Sequence, residues 1–181
     1  MGRKLRHLLI FLLIILKELN TPAADCSCKP RCRCSDLGLT SIPQNLPTSI
    51  SFLDLKGNRI TNIKMLQSGT FTNLPRLKVL TLSDNQISTI QLGTFTNLPL
   101  LQELDLSKNQ ITMIRPDFFE NLRQLKILYL SSNQITMIQP GTFANLNQLK
   151  MIGLSVNQPS GQNKQHDNNT NFGPIIGQNK P

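Results

Sequence analysis

The 181-residue chain has no tryptophan, one tyrosine, two histidines and only 16% charged residues. Single-stranded nucleic acid is gripped by successive aromatic rings that stack on bases, and with no tryptophan and one tyrosine such a platform is not expected. The histidines, His7 and His166, stand far from any Cys/His spacing that would hold a metal, and no glycine-rich phosphate loop or Cys–His pair occurs. No cofactor and no enzymatic activity are expected. Lys and Arg number 19 against 10 Asp and Glu, yet no run of five or six like charges forms. A nucleic-acid footprint would gather its basic residues on one face, so nucleic acid is not an expected partner; weak attraction to acidic glycans stays open.

Long apolar runs are also lacking. Leu8 to Leu16 is an unbroken apolar stretch behind Arg3, Lys4 and Arg6. As a helix it would span about 14 Å, roughly half of a bilayer core. It therefore predicts a secretory signal, with cleavage after Ala23 in Thr21-Pro22-Ala23, rather than a transmembrane segment. The four cysteines follow at once, as Cys26, Cys28, Cys32 and Cys34. Behind a signal they meet an oxidising compartment and imply two disulfides; a thiolate metal cluster would need a reducing one. Pairing Cys26 with Cys28 closes too tight a ring for disulfide geometry. Two connectivities stay open: 26–32 with 28–34, and 26–34 with 28–32.

The body of the chain is a repeat. Segments beginning at Ile50, Leu77, Leu101, Leu125 and Leu149 each carry Leu or Ile at positions one, four and six and Asn at position nine. The Asn residues are Asn58, Asn85, Asn109, Asn133 and Asn157. Phe71, Phe95, Phe119 and Phe143 recur downstream, each with Asn two residues later and Leu three later. The step is 24 residues except the first, which is 27 and holds Met65-Leu66-Gln67 as an apparent insertion. Leu-x-Leu sends two side chains to one face of a short strand. The turn that follows buries backbone polar groups, which an inward Asn amide, both donor and acceptor, can bridge within and between coils. The Phe residues are expected to stack as a second spine. An amphipathic helix fails, because the leucine spacing does not follow a 3.6-residue period. The period instead fits a stacked-coil solenoid.

The Cys28-Lys-Pro-Arg-Cys32-Arg-Cys34 run, the following Leu39-Thr-Ser-Ile42-Pro43 segment, and Gly-Thr-Phe-x-Asn-Leu at 69–74, 93–98 and 141–146 resemble extracellular leucine-rich repeat proteins with a cysteine-capped N-terminus. Variable lymphocyte receptors and Slit-like proteins are the nearest kinds. The resemblance covers roughly 26–158 and implies an α/β leucine-rich repeat solenoid: a curved parallel sheet on the concave side, with loops and short helical turns on the convex side. It also implies that first-to-third, second-to-fourth cysteine pairing is favoured, although the family's cysteines are more widely spaced than these. The expected division is 1–23 signal peptide, 24–49 cap, 50–158 five repeats and 159–181 polar tail.

By the same resemblance, positions three, five, seven and eight of each coil face a ligand. The candidates are Phe52, Asp54, Val79, Thr81, Asp84, Glu103, Asp105, Ile127, Tyr129 and Met151. Asp84, Glu103 and Asp105 are expected as an acidic patch, and Ile127, Tyr129 and Met151 as an apolar one; an apolar anchor beside charges suits protein binding. An open sheet would not desolvate the carboxylates for acid–base work. Asn168-Asn169-Thr170 is a glycosylation sequon. The family's cysteine-rich C-terminal cap has no counterpart after Asn157. Three explanations compete: a truncated gene product, pairing with another chain through the uncapped last repeat, or a cover formed by Phe172, Ile175 and Ile176. The implied function is a secreted binding module for an extracellular protein or glycan, of receptor or immune type. The alternative is a self-assembling matrix or adhesion component.

Overall fold

The computed structural model describes residues 26–28, 30–43, 46–63, 71, 74–95 and 97–157. The expected signal peptide, the insertion at Met65-Leu66-Gln67, Asn168 and the polar tail lie outside the described residues. Among the described residues eleven short strands follow one another: β1 Ser27–Cys28, β2 Arg31–Arg33, β3 Phe52–Asp54, β4 Asn62–Ile63, β5 Val79–Thr81, β6 Thr89–Ile90, β7 Glu103–Asp105, β8 Met113–Ile114, β9 Ile127–Tyr129, β10 Met137–Ile138 and β11 Met151–Gly153.

Seven of them form one sheet in the order β1-β2-β3-β5-β7-β9-β11, antiparallel between β1 and β2 and parallel thereafter. The register repeats without slip. Cys32, Leu53, Leu80, Leu104, Leu128 and Ile152 stand opposite one another as a single lane. Strand side chains alternate faces, so this lane points inward, and Leu53, Leu80, Leu104 and Leu128 are fully buried while their neighbours are half-buried. The sixth-position residues Leu55, Leu82, Leu106 and Leu130 add a second fully buried lane. Their amides extend the ladder, each donating to the next coil at 2.8 Å, as from Leu82 to the Asp105 carbonyl.

The Asn column forms as the pattern predicts. Asn109 Nδ2 donates to the Leu82 and Leu106 carbonyls, both at 3.0 Å, and its Oδ1 accepts from the Ile87 amide at 3.0 Å. Asn85 and Asn133 repeat this with partners one coil away, and both are buried. At the start of the stack, Asn58 accepts from the amides of Leu37 and Leu39 and donates to the Cys34 carbonyl. The residue before each Asn is left-handed: Gly57, Asp84, Lys108, Ser132 and Val156 have φ between 52° and 67°. Only Gly57 is a glycine. A Cβ at Gly57 would run into the Asp36 carboxylate, itself on a left-handed residue of the preceding turn.

Across the core, β4 pairs with β6 and β8 with β10, both parallel. Each of these strands ends in Ile, a residue that favours extended backbone, so short strands form on this side where loops and helical turns were expected. The helical element among the described residues is a three-residue 3-10 turn, Pro116–Phe118. It arises where Asp117-Phe118 replaces the Gly-Thr of the other coils, whose Gly93 and Gly141 have φ of 74° and 78°. Phe71 stacks on Phe95 at 6.0 Å and Phe119 on Phe143 at 6.3 Å, so the expected Phe spine forms as two stacked pairs rather than one continuous stack.

The cap corrects one expectation. The disulfides are Cys26–Cys34 and Cys28–Cys32, not the first-to-third, second-to-fourth pairing that the resemblance favours. The reason is local. β1 and β2 form a hairpin that sets Cys28 opposite Cys32 and Ser27 opposite Arg33. Opposite residues lie closest, so bonds nest: the Cα atoms are 4.0 Å apart for Cys28–Cys32 and 4.6 Å for Cys26–Cys34. Crossed bonds would each be two residues out of register. Cys32 and Cys34, fully buried, then take the places of the two core leucines in a foreshortened opening coil.

Candidate functional site

The inner sheet turns two rows of side chains away from the core. One row is Arg31, Phe52, Val79, Glu103, Ile127 and Met151; the other is Arg33, Asp54, Thr81, Asp105, Tyr129 and Gly153. Nine of the ten candidate residues fall in these rows. The tenth, Asp84, lies beyond its strand in the left-handed turn, exposed, with its amide donating to the Ser107 carbonyl at 3.1 Å. Glu103 and Asp105 share one face of β7. Ile127 and Met151 are direct neighbours, and Tyr129 sits two residues from Ile127 on the same face. The apolar group is thus assembled, with Met151 51% exposed. Among the seventh-position residues, Ser83 is buried and offers no contact surface.

The carboxylates differ in what already holds them. Asp105 Oδ1 accepts from the Ser107 amide at 2.9 Å and the Ser107 hydroxyl at 2.6 Å. Asp54 Oδ1 accepts from the Lys56 amide at 3.0 Å. Both side chains therefore fasten the turn after their strand, as short polar residues commonly do. Among the described residues the one ion pair is Arg115–Asp117, at 3.4 Å and away from the inner sheet. Glu103, Arg31 and Arg33 are left without an ionic partner among those residues. Arg31 instead lies over the Phe52 ring, its guanidinium carbon 3.9 Å from the centroid, a cation–π contact.

Arg31 and Arg33 are absent from the sequence-derived candidates because the cap was read apart from the coils. The signal was present in the alternation Arg31-Cys32-Arg33, which repeats the out-in-out pattern of Phe52-Leu53-Asp54. The face is open and shallow. No group of three or more His, Cys, Asp or Glu is placed to hold a metal ion among the described residues. A cavity of about 200 Å³ lies elsewhere, between the last two coils, lined by Ile135, Met137, Ile138 and Leu154. No helix among the described residues is long and apolar enough to cross a membrane.

Three comparisons bear on this geometry. Residues 48–111 and 101–158 match the leucine rich repeat family. A stretch of 56 residues is 50% identical to biglycan of Xenopus laevis, covering 30% of this chain and 15% of biglycan. A stretch of 58 residues is 47% identical to decorin of Homo sapiens, covering 32% of this chain and 15% of decorin. The matches thus span only a small part of either relative. Among solved structures, the crystal structure of the TLR13–ssRNA13 complex superposes with a TM-score of 0.66 at 34% identity, over 72% of this chain and 18% of that one. The family match runs across the coils whose Leu lanes and Asn column are described above, and the chain belongs to the leucine-rich repeat family.

Proposed function

We propose that this chain is a secreted recognition module that binds an extracellular protein or glycan through the two outward rows of its inner sheet, in a receptor or immune role. One observation carries the reading. The inward lane is Leu or Ile in every repeat, while the outward positions beside it differ from coil to coil and hold Phe52, Glu103, Ile127, Tyr129 and Met151 within a single register. Such a frame keeps the fold constant and leaves the surface free to match a partner. The cap disulfides support an oxidising compartment, in line with a signal peptide over 1–23, glycosylation at Asn168 and a tail over 159–181. The reading gives the chain no catalytic role. The TLR13 neighbour is a complex with ssRNA13. On this chain the centre of the face is occupied by Glu103 and Asp105, which disfavours phosphate.

An unbiased pull-down from extracellular fluid, followed by surface plasmon resonance, tests the proposal. Tyr129→Ala and Met151→Ala should each weaken binding of the captured partner about tenfold or more, as buried anchors do. Leu92→Ala and Met113→Ala, on exposed residues off the inner rows, should leave it within about twofold. Unchanged affinity in both inner-face variants would remove these residues from the site.

A second reading, self-association, is favoured by β11. Among the described residues it pairs only with β9, and its own Met151 and the following Val156 are exposed. An unpaired strand edge can template another chain. Light scattering separates the readings, since a strictly monomeric species rules out edge pairing.

A further inference from the structure

Charge on the inner face is sorted by strand. β2 presents two cations, Arg31 and Arg33; β5 presents neutral Val79 and Thr81; β7 presents two anions, Glu103 and Asp105; β9 and β11 present Ile127, Tyr129 and Met151 without charge. On β3, between cations and neutral strand, Phe52 supports the Arg31 guanidinium from below, and Asp54 is fastened to the Lys56 amide. The arginines are exposed and, with Glu103, lack an ionic partner among the described residues. At the other end Gly153 leaves room beside Tyr129. A Cβ there would stand 3.3 Å from Tyr129 Cδ1 and 3.0 Å from Ser131 Oγ.

We infer that this face takes an extended polypeptide segment laid across the strands. An acidic residue meets Arg31 and Arg33, a Lys or Arg meets Glu103 and Asp105, and a large apolar side chain meets Tyr129 and Met151. The inference rests on the inner-face reading above and adds the ligand's chemistry and the order of its charges. Strands lie ~4.8 Å apart, so the three steps from β2 to β7 span about 14 Å. An extended chain advances ~3.3 Å per residue, which sets its two charges about four residues apart. Side chains alternate, so a spacing of four keeps both on the side facing the sheet, and a spacing of two more brings the apolar residue over β9 and β11. The neutral β5 strand underlies the spacer. A glycan supplies hydroxyls and anions but no cation for Glu103 and no apolar anchor, and an RNA would set phosphates against the β7 carboxylates.

A library of random dodecapeptides displayed on phage and panned against the full chain tests this. The expected enrichment is an acidic and a basic residue four positions apart with a large apolar residue two positions beyond the basic one, in either chain direction. An enriched peptide should bind Glu103→Lys about tenfold more weakly, and exchanging its cation for Glu should restore affinity to that variant. Asp105→Asn, which keeps an acceptor for Ser107, should also weaken it. A peptide with its acidic and basic residues exchanged should bind about tenfold more weakly to the native chain. Enriched peptides that depend on Tyr129 but carry no charge order overturn the charge assignment and leave the inner-face reading standing. Peptides indifferent to Tyr129→Ala, Glu103→Lys and Arg33→Glu overturn both. No enrichment at all overturns the polypeptide ligand alone.

Discussion

Asn109 illustrates how one side chain holds two coils. Replacing it with Ala orphans the Ile87 amide and takes one of two Asn donors from each of the Leu82 and Leu106 carbonyls, which keep Asn85 and Asn133; a buried orphan costs about 1–3 kcal/mol and each further lost hydrogen bond about 0.5–1.5 kcal/mol. Asn109→Ala should therefore destabilise by about 2–4 kcal/mol in urea unfolding. Asn157→Ala, at a half-buried position of the last described coil, should cost only about 1 kcal/mol; equal losses would contradict the ladder account. The left-handed column allows the opposite test. Val156 is β-branched with φ of 56°, a strain of about 1–2 kcal/mol that glycine removes while adding disorder to the unfolded chain. Val156→Gly should raise the unfolding midpoint slightly, whereas Gly57→Ala, meeting Asp36, should lower it. The Asn column was legible in the sequence because its residues are identical at fixed spacing. The left-handed column beside it was not, because Lys108, Ser132 and Val156 do not announce that backbone.

Among the elements, the cap hairpin departs most from the sequence-based expectation. Four cysteines within nine residues leave connectivity open, and the answer depends on an antiparallel register that a cysteine pattern cannot reveal. The nested assignment predicts a clear result. A Cys26→Ala/Cys34→Ala variant should retain the Cys28–Cys32 bond and show no free thiol on titration under denaturing conditions. A Cys26→Ala/Cys32→Ala variant should show two. The reverse outcome would support crossed pairing. Losing one bond should cost about 2–3 kcal/mol, as expected for so short a loop. The same hairpin explains Arg31 and Arg33: the cap's second strand joins the sheet as a further lane, which its short, non-repeating sequence conceals. The far side of the core was legible as to burial, through the Ile and Phe positions. Its backbone was less so, because two-residue segments ending in Ile pair as parallel strands, while in one of those same coils Asp117-Phe118 adds a 3-10 turn just beyond the strand.

At the scale of the whole molecule, each coil relies on its neighbours for its inward lane and its Asn partners, as repeat stacks do. That rigid frame makes the inner face a fixed ruler of charge and apolar surface. The chain carries its own reporters for locating a ligand. Met151 lies on the inner face, whereas Met113 and Met137 stand opposite each other on β8 and β10 across the core; all three are exposed. Oxidative footprinting of the chain with a captured partner or an enriched dodecapeptide is the most direct test of the central claim. Binding through the inner sheet should slow oxidation of Met151 several-fold and leave Met113 and Met137 unchanged. Protection of Met113 or Met137 with Met151 unaffected would contradict it.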